Sequence, residues 1–222
     1  MLLASQAQTD IPTIVKKLNE AYQANGNMSV TTTYKMYANF TTTTAAQTLT
    51  GNLKKKGEQM SYKLENVERL ESLHRRILVN HDSKTVIVQA NDVDRKTYVM
   101  DLELEKYLNS KTQGQVQDQG TQLLLSMPVK LPDVEKVDMY INKSTFLINK
   151  LVVYYRQAIR FNAADESTPK QKPRMEIAFQ INLNPTFANN EFNENKFIRI
   201  NNGVMKLNNS LTDYQLVNFD KD

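Results

Sequence analysis

The sequence predicts an α+β protein that is mostly antiparallel β, with one large, strongly curved sheet and helices over its concave face. Three observations carry this. From Arg174 to Leu183 large apolar residues alternate strictly with small, polar or charged ones: Met175, Ile177, Phe179, Ile181 and Leu183 against Arg174, Glu176, Ala178, Gln180 and Asn182. That is the pattern of a strand with one face on a core and one in water. Upstream, Val137, Met139 and Ile141 alternate, Asn142–Thr145 supplies a turn, and Phe146–Tyr155 is apolar on both faces, as a central strand covered on two sides would be. Near the start, Ile11, Ile14, Val15, Leu18, Ala21 and Tyr22 form a single stripe at helical spacing.

Taken in order, the first element is that helix. Asp10 caps it, Pro12 sits in the first turn where its missing N–H costs nothing, and Asn25-Gly26 stops it. Strand chemistry follows. Val30, Thr32, Tyr34, Met36, Ala38 and Phe40 share one face. Leu49, Gly51 and Leu53 begin a second strand, Gly57-Glu58 turns it, and Met60, Tyr62 and Leu64 alternate in a third. Val67, Leu70, Leu73 and Ile77 also fit helical spacing, but their β-rich neighbours favour strand. Ile77–Val79 and Val86–Val88 flank Asn80–Lys84, a hairpin turn by composition. Met100–Leu108 reads as a strand end or short helix, and Asn109–Gly120 as a surface loop. Gln122–Met127 reads as one or two helical turns stopped by Pro128, the short mid-chain helix of this reading. Asn162–Pro173 is a long polar connection. Val204–Leu207 and Tyr214–Phe219 are the last strands. No repeat or low-complexity linker divides the chain, so residues 8–222 read as one domain.

Composition narrows function. The net charge is +4, but basic residues are dispersed among nearly as many acids, so nucleic acid is not an expected partner. Lys54-Lys55-Lys56 is the one tight basic run and reads as a solvated loop or edge-strand guard. The chain has no Cys, which excludes disulfides, thiolate catalysis and Cys-based metal sites. No run approaches the about 18 apolar residues of a membrane span. Met1–Ala7 reads as the remnant of a secretory signal, with Ser5 and Ala7 as the small residues of its cleavage site, so an exported protein is expected. No Cys follows it to carry a lipid anchor.

No residue cluster spells out a reaction. There is no G-x-S-x-G elbow and no Gly-rich phosphate loop. His74 and His81 are the only histidines and are expected in solvent. The reading is therefore of a non-enzyme, without metal or other cofactor.

The order of elements resembles the outer-membrane lipoprotein carrier family (LolA-like and LolB-like proteins). The helix segment Ile14–Tyr22 is followed by a strand with Tyr34, Met36 and Tyr37. A Gly-containing strand pair comes next, Leu49–Leu53 and Gln59–Tyr62, then the hairpin Ile77–Val86 and the late pair Val137–Ile148 with its Asn-Lys-Ser-Thr turn. This pattern covers most of residues 10–160. The resemblance implies an incomplete β-barrel with helices over its open side, and an apolar cavity that holds acyl chains in the periplasm. Tyr34, Met36, Met139, Met175 and Ile177 are the candidate lining, because they lie on apolar strand faces and include flexible side chains. Two functions follow as expectations. One is a periplasmic or secreted, monomeric binder or carrier of lipid or acylated lipoprotein. The other is an envelope interaction or sensor module of the same fold, its interior filled by its own side chains and its partner another envelope protein.

Overall fold

The computed structural model describes residues 10–91, 114–129, 131–161, 167 and 169–220. The signal-like segment 1–7 and the stretch 100–108 lie outside them. Among the described residues there is one α-helix, α1 (Ile11–Ala24). The Asp10 carboxylate accepts from the Thr13 backbone N–H at 2.9 Å, the N-cap the sequence promised, and hydrogen bonds from the Thr13 side chain and then its backbone hold the Asp10 pKa below the usual carboxylate value. No described helix is long and apolar enough to cross a membrane.

The strands are β1 (Asn27–Tyr37), β2 (Gln47–Lys56), β3 (Gln59–Leu64), β4 (Val67–Glu71), β5 (Arg75–Asn80), β6 (Thr85–Ala90), β7 (Gln115–Asp118), β8 (Gln122–Pro128), β9 (Val134–Asn142), β10 (Ile148–Tyr155), β11 (Arg174–Asn182), β12 (Ile198–Asn201), β13 (Val204–Leu207) and β14 (Gln215–Asn218). Twelve form one sheet, in the order β14-β6-β5-β4-β3-β2-β1-β11-β10-β9-β8-β7, and β12 and β13 form a separate pair. β14 runs parallel to β6, and β2 to β6 and β7 to β11 are joined by antiparallel ladders.

The middle of the chain differs from the sequence reading. Gln122–Met127 is not a mid-chain helix but β8. Leu123, Leu125 and Met127 are buried and the residues between them less so. A short Leu-rich run satisfies either period. Here the ladder to β9 decides, with Leu123 opposite Ile141, Leu125 opposite Met139 and Met127 opposite Val137. The segment read as a surface loop also contributes β7, a short strand at the sheet edge.

The chain divides into two compact units. The first comprises Met1–Ala24, Thr33–Thr48 and Met100–Phe179, and the second Asn25–Thr32, Leu49–Val99 and Gln180–Asp222. In the first, Ile14 and Leu18 of α1 are fully buried against Leu123, Leu125, Met127, Met139, Ile141, Ile148, Leu151 and Ile177. Burying each of the two helix side chains contributes about 1.5–3 kcal/mol, which is what fixes so short a helix in place. In the second, Leu70, Ile77, Val79, Val86 and Val88 make the sheet side of a core closed by Phe192, Phe197, Ile198 and Leu211, and the Phe187 and Phe192 rings meet edge to face. Gly51 is needed there, because a Cβ at that position would stand 2.7 Å from the Thr32 hydroxyl.

Candidate functional site

The apolar layer beneath α1 is built by cross-strand registration. Met139 on β9, Leu151 on β10 and Ile177 on β11 are direct neighbours and form one row across the sheet. Val137, Val153 and Met175 form the next. Leu125 and Met127 of β8 continue both rows, and Ile14 and Leu18 close them from above.

Of the five residues the sequence pointed to, Met139 (0% exposed) and Ile177 (9%) are members of this layer. Tyr34 and Met175 are partly buried and pack against it. Met36 is partly buried but is not among the residues gathered there. The structure thus brings four of the five together. The sequence reading missed Leu125, Met127 and Leu151, the first two because their segment read as helix.

Polar contacts hold the rim. The Ile148 backbone N–H donates to the Tyr22 hydroxyl oxygen at 3.2 Å. Burial pushes the Tyr22 phenol up to about 12, so it stays neutral at physiological pH. The Lys17 ammonium lies 4.7 Å from the centroid of the Phe146 ring.

The opposite face of the same strands is polar and tightly paired. Arg174 donates from Nε and Nη2 to Glu176, and from Nη1 to the carbonyls of Asn39 (2.9 Å) and Thr42 (3.0 Å), with its guanidinium 4.0 Å from the Tyr37 ring centroid. One side chain therefore fastens the residue 39–42 turn to β11. Lys136 donates to Asp138 Oδ2 at 3.0 Å and lies over the Tyr154 ring. Burial, then the neighbouring Asp138 charge, raises the Tyr154 phenol to about 12. Opposite charges two residues apart on β9 (Lys136, Asp138) and β11 (Arg174, Glu176) were the sequence signal for this face, since positions i and i+2 share one side of a strand.

His81 is not simply solvated, as the sequence suggested. Its Nδ1 lies 2.7 Å from the Tyr214 hydroxyl and its Nε2 3.2 Å from Glu68. Burial works against the Glu68 charge, but Lys196, His81 and Lys63 outweigh it and hold the carboxyl down at about 2. Among the described residues no group of three His, Cys, Asp or Glu stands together as a metal set.

No protein-family model and no curated protein matches the chain. The fold is similar to solved structures at low identity. The crystal structure of MucB in complex with MucA(peri) covers 82% of this chain at 11% identity and a TM-score of 0.42, and the chain spans 59% of that MucB's length. An outer membrane lipoprotein-sorting protein domain from Vibrio parahaemolyticus covers 82% of this chain and is itself covered to 96%, at 11% identity and TM-score 0.39. A LolA superfamily protein from Nitrosomonas europaea covers 83%, with 98% of it covered, at 11% identity and TM-score 0.34.

Proposed function

We propose that this protein is a periplasmic, non-enzymatic binder of lipid or lipoprotein acyl chains. In this reading it is a single LolA-like domain whose sheet curves as an incomplete barrel, acting as a monomer. The observation that carries it is the layer between α1 and β8–β11. It is wholly apolar in its buried part, it includes the flexible side chains of Met127 and Met139 with Met175 at its edge, and one fourteen-residue helix covers it. Thioether side chains repack around irregular apolar guests at little cost, and among the described residues the one helix over the layer is short enough to be displaced.

The test is titration of the purified protein with a fluorescent fatty acid. Saturable binding near one per chain is expected. Met175→Glu should abolish it, because a carboxylate at the edge of the layer would meet the apolar chain without a partner. A circular dichroism melt must show that variant folded, since Met175 also packs on the core.

A second reading is an envelope interaction module with a filled interior. It is favoured by the complete burial of Ile14, Leu125, Met139 and Ile141, which already occupy the space beneath α1. A folded wild-type protein with no saturable uptake of any acyl chain would select it.

A further inference from the structure

The second unit carries a charged row that neither reading uses. β2 lies between β1 and β3, so the Lys54-Lys55-Lys56 run is neither a loop nor an edge guard. Lys54 turns to one face and pairs with Glu191 at 2.7 Å. Lys55 turns to the other. There it is registered with Met60 on β3, which is registered with Glu71 on β4, which is registered with Arg76 on β5. Arg69, two residues before Glu71, shares that face.

Glu71 is 0% exposed. Its Oε1 accepts from Arg69 Nη2 and from Arg76 Nε, the latter at 3.0 Å. Its Oε2 and the Arg69 Nε are buried and have no partner among the described residues. The two guanidinium side chains still reach solvent, at 35% and 25% exposure. Lys55 is half-buried and makes no hydrogen bond or ion pair with a described residue, and burial lowers its pKa. A carboxylate oxygen and an N–H buried without a partner are each costly to leave open. Three cations against one anion leave an excess of positive charge on the face.

We propose that this face of β2–β5 is an anion site for a phosphate-type group. Phosphate oxygens accept from Arg69 Nε, from the free Nη groups of Arg76 and from Lys55, and a phosphate hydroxyl donates to Glu71 Oε2. This chemistry meets both open valences: the group accepts at several points and donates at one. A carboxylate would leave Oε2 unmatched, and a bare cation would be repelled by the three basic groups. Planar guanidinium forks suit phosphate oxygens. The site lies on residues of the second unit alone and does not depend on acyl-chain binding beneath α1.

The phosphate could be free or the headgroup of an amphiphile, and two arms separate these. The intact chain is titrated with inorganic phosphate by calorimetry, and mixed with phosphatidylcholine vesicles with or without phosphatidic acid. Each arm is repeated with Lys55→Met and Lys56→Met, which remove the same charge from neighbouring positions. Binding in either arm, weakened roughly tenfold or more by Lys55→Met and little by Lys56→Met, is the expected result, one charge-assisted contact being worth that much. Lys55→Met should also melt no lower than wild type, because it removes an unpaired cation. Which arm responds names the source. No binding in either arm, or equal weakening by the two variants, overturns the proposal.

Discussion

The layer beneath α1 and the row around Glu71 are both withdrawn from water, by opposite means. Leu125, Met139 and Ile141 are buried because apolar surface gains by leaving water, and nothing about them needs a specific partner. Glu71 is equally buried, yet it is tolerable only because Arg69 and Arg76 donate to it. The first region asks of any contact only that it be apolar. The second specifies geometry and charge, and its two unmatched atoms state what is missing. The contrast teaches that burial alone does not mark a site; a site shows in what the buried groups still lack.

The comparison can be broken by truncation. Leu125→Ala should cost most, about 3–5 kcal/mol in a denaturant titration, since the layer is closed and the cavity cannot collapse fully. Glu71→Ala should cost about 2–3 kcal/mol, because it leaves two guanidinium groups facing each other; their partial exposure keeps this below the loss for a fully buried pair. If Glu71→Ala exceeded Leu125→Ala, the charged row rather than the apolar layer would dominate stability. Phe179→Ala is a graded case. Strict alternation puts Phe179 on the core face, but it is only partly buried, so about 2 kcal/mol is expected, below the usual range for a fully buried aromatic.

Acid sharpens the contrast, because it acts on pairing and not on packing. The Glu68 pKa is about 2 in the fold against about 4.3 in an unfolded chain. The unfolded state therefore takes up the proton first as pH falls. The stability this carboxylate supplies is complete above about pH 4.3 and is lost as pH falls towards 2. Melting temperatures measured across that window should drop in the wild type and drop less in Glu68→Gln. At the bottom of the scale, Gln180→Ala on the exposed side of β11 should change stability by about 0.5 kcal/mol or less.

How much of this was legible in the sequence depended on which force built the element. Period-two alternation exposed β9 and β11, and the Asp10 cap with its helical stripe exposed α1, because burial writes its period directly into residue order; the hairpin of β5 and β6 showed instead as two β-rich runs around a polar turn. β8 was hidden, since Leu123-Leu124-Leu125 satisfies both periods and only its pairing with β9 settles the matter. Within the candidate site, Met139, Met175 and Ile177 were visible from strand faces, whereas Leu151 sits in a run apolar on both sides that conceals its direction. The row of Lys55, Glu71 and Arg76 could not be read at all. It depends on the registers of β2 to β5, which one strand's sequence does not encode.

The central claim is that the layer beneath α1 is both core and binding surface, so a guest must displace the helix that seals it. The most direct measurement is amide hydrogen exchange along α1 during titration with fatty acids of increasing length. The expected result is a saturable change in protection confined to α1 and the strands beneath it, with affinity rising by about 0.8 kcal/mol per added methylene until the space is full. Unchanged protection of α1 at every chain length, in a protein that stays folded, would contradict it.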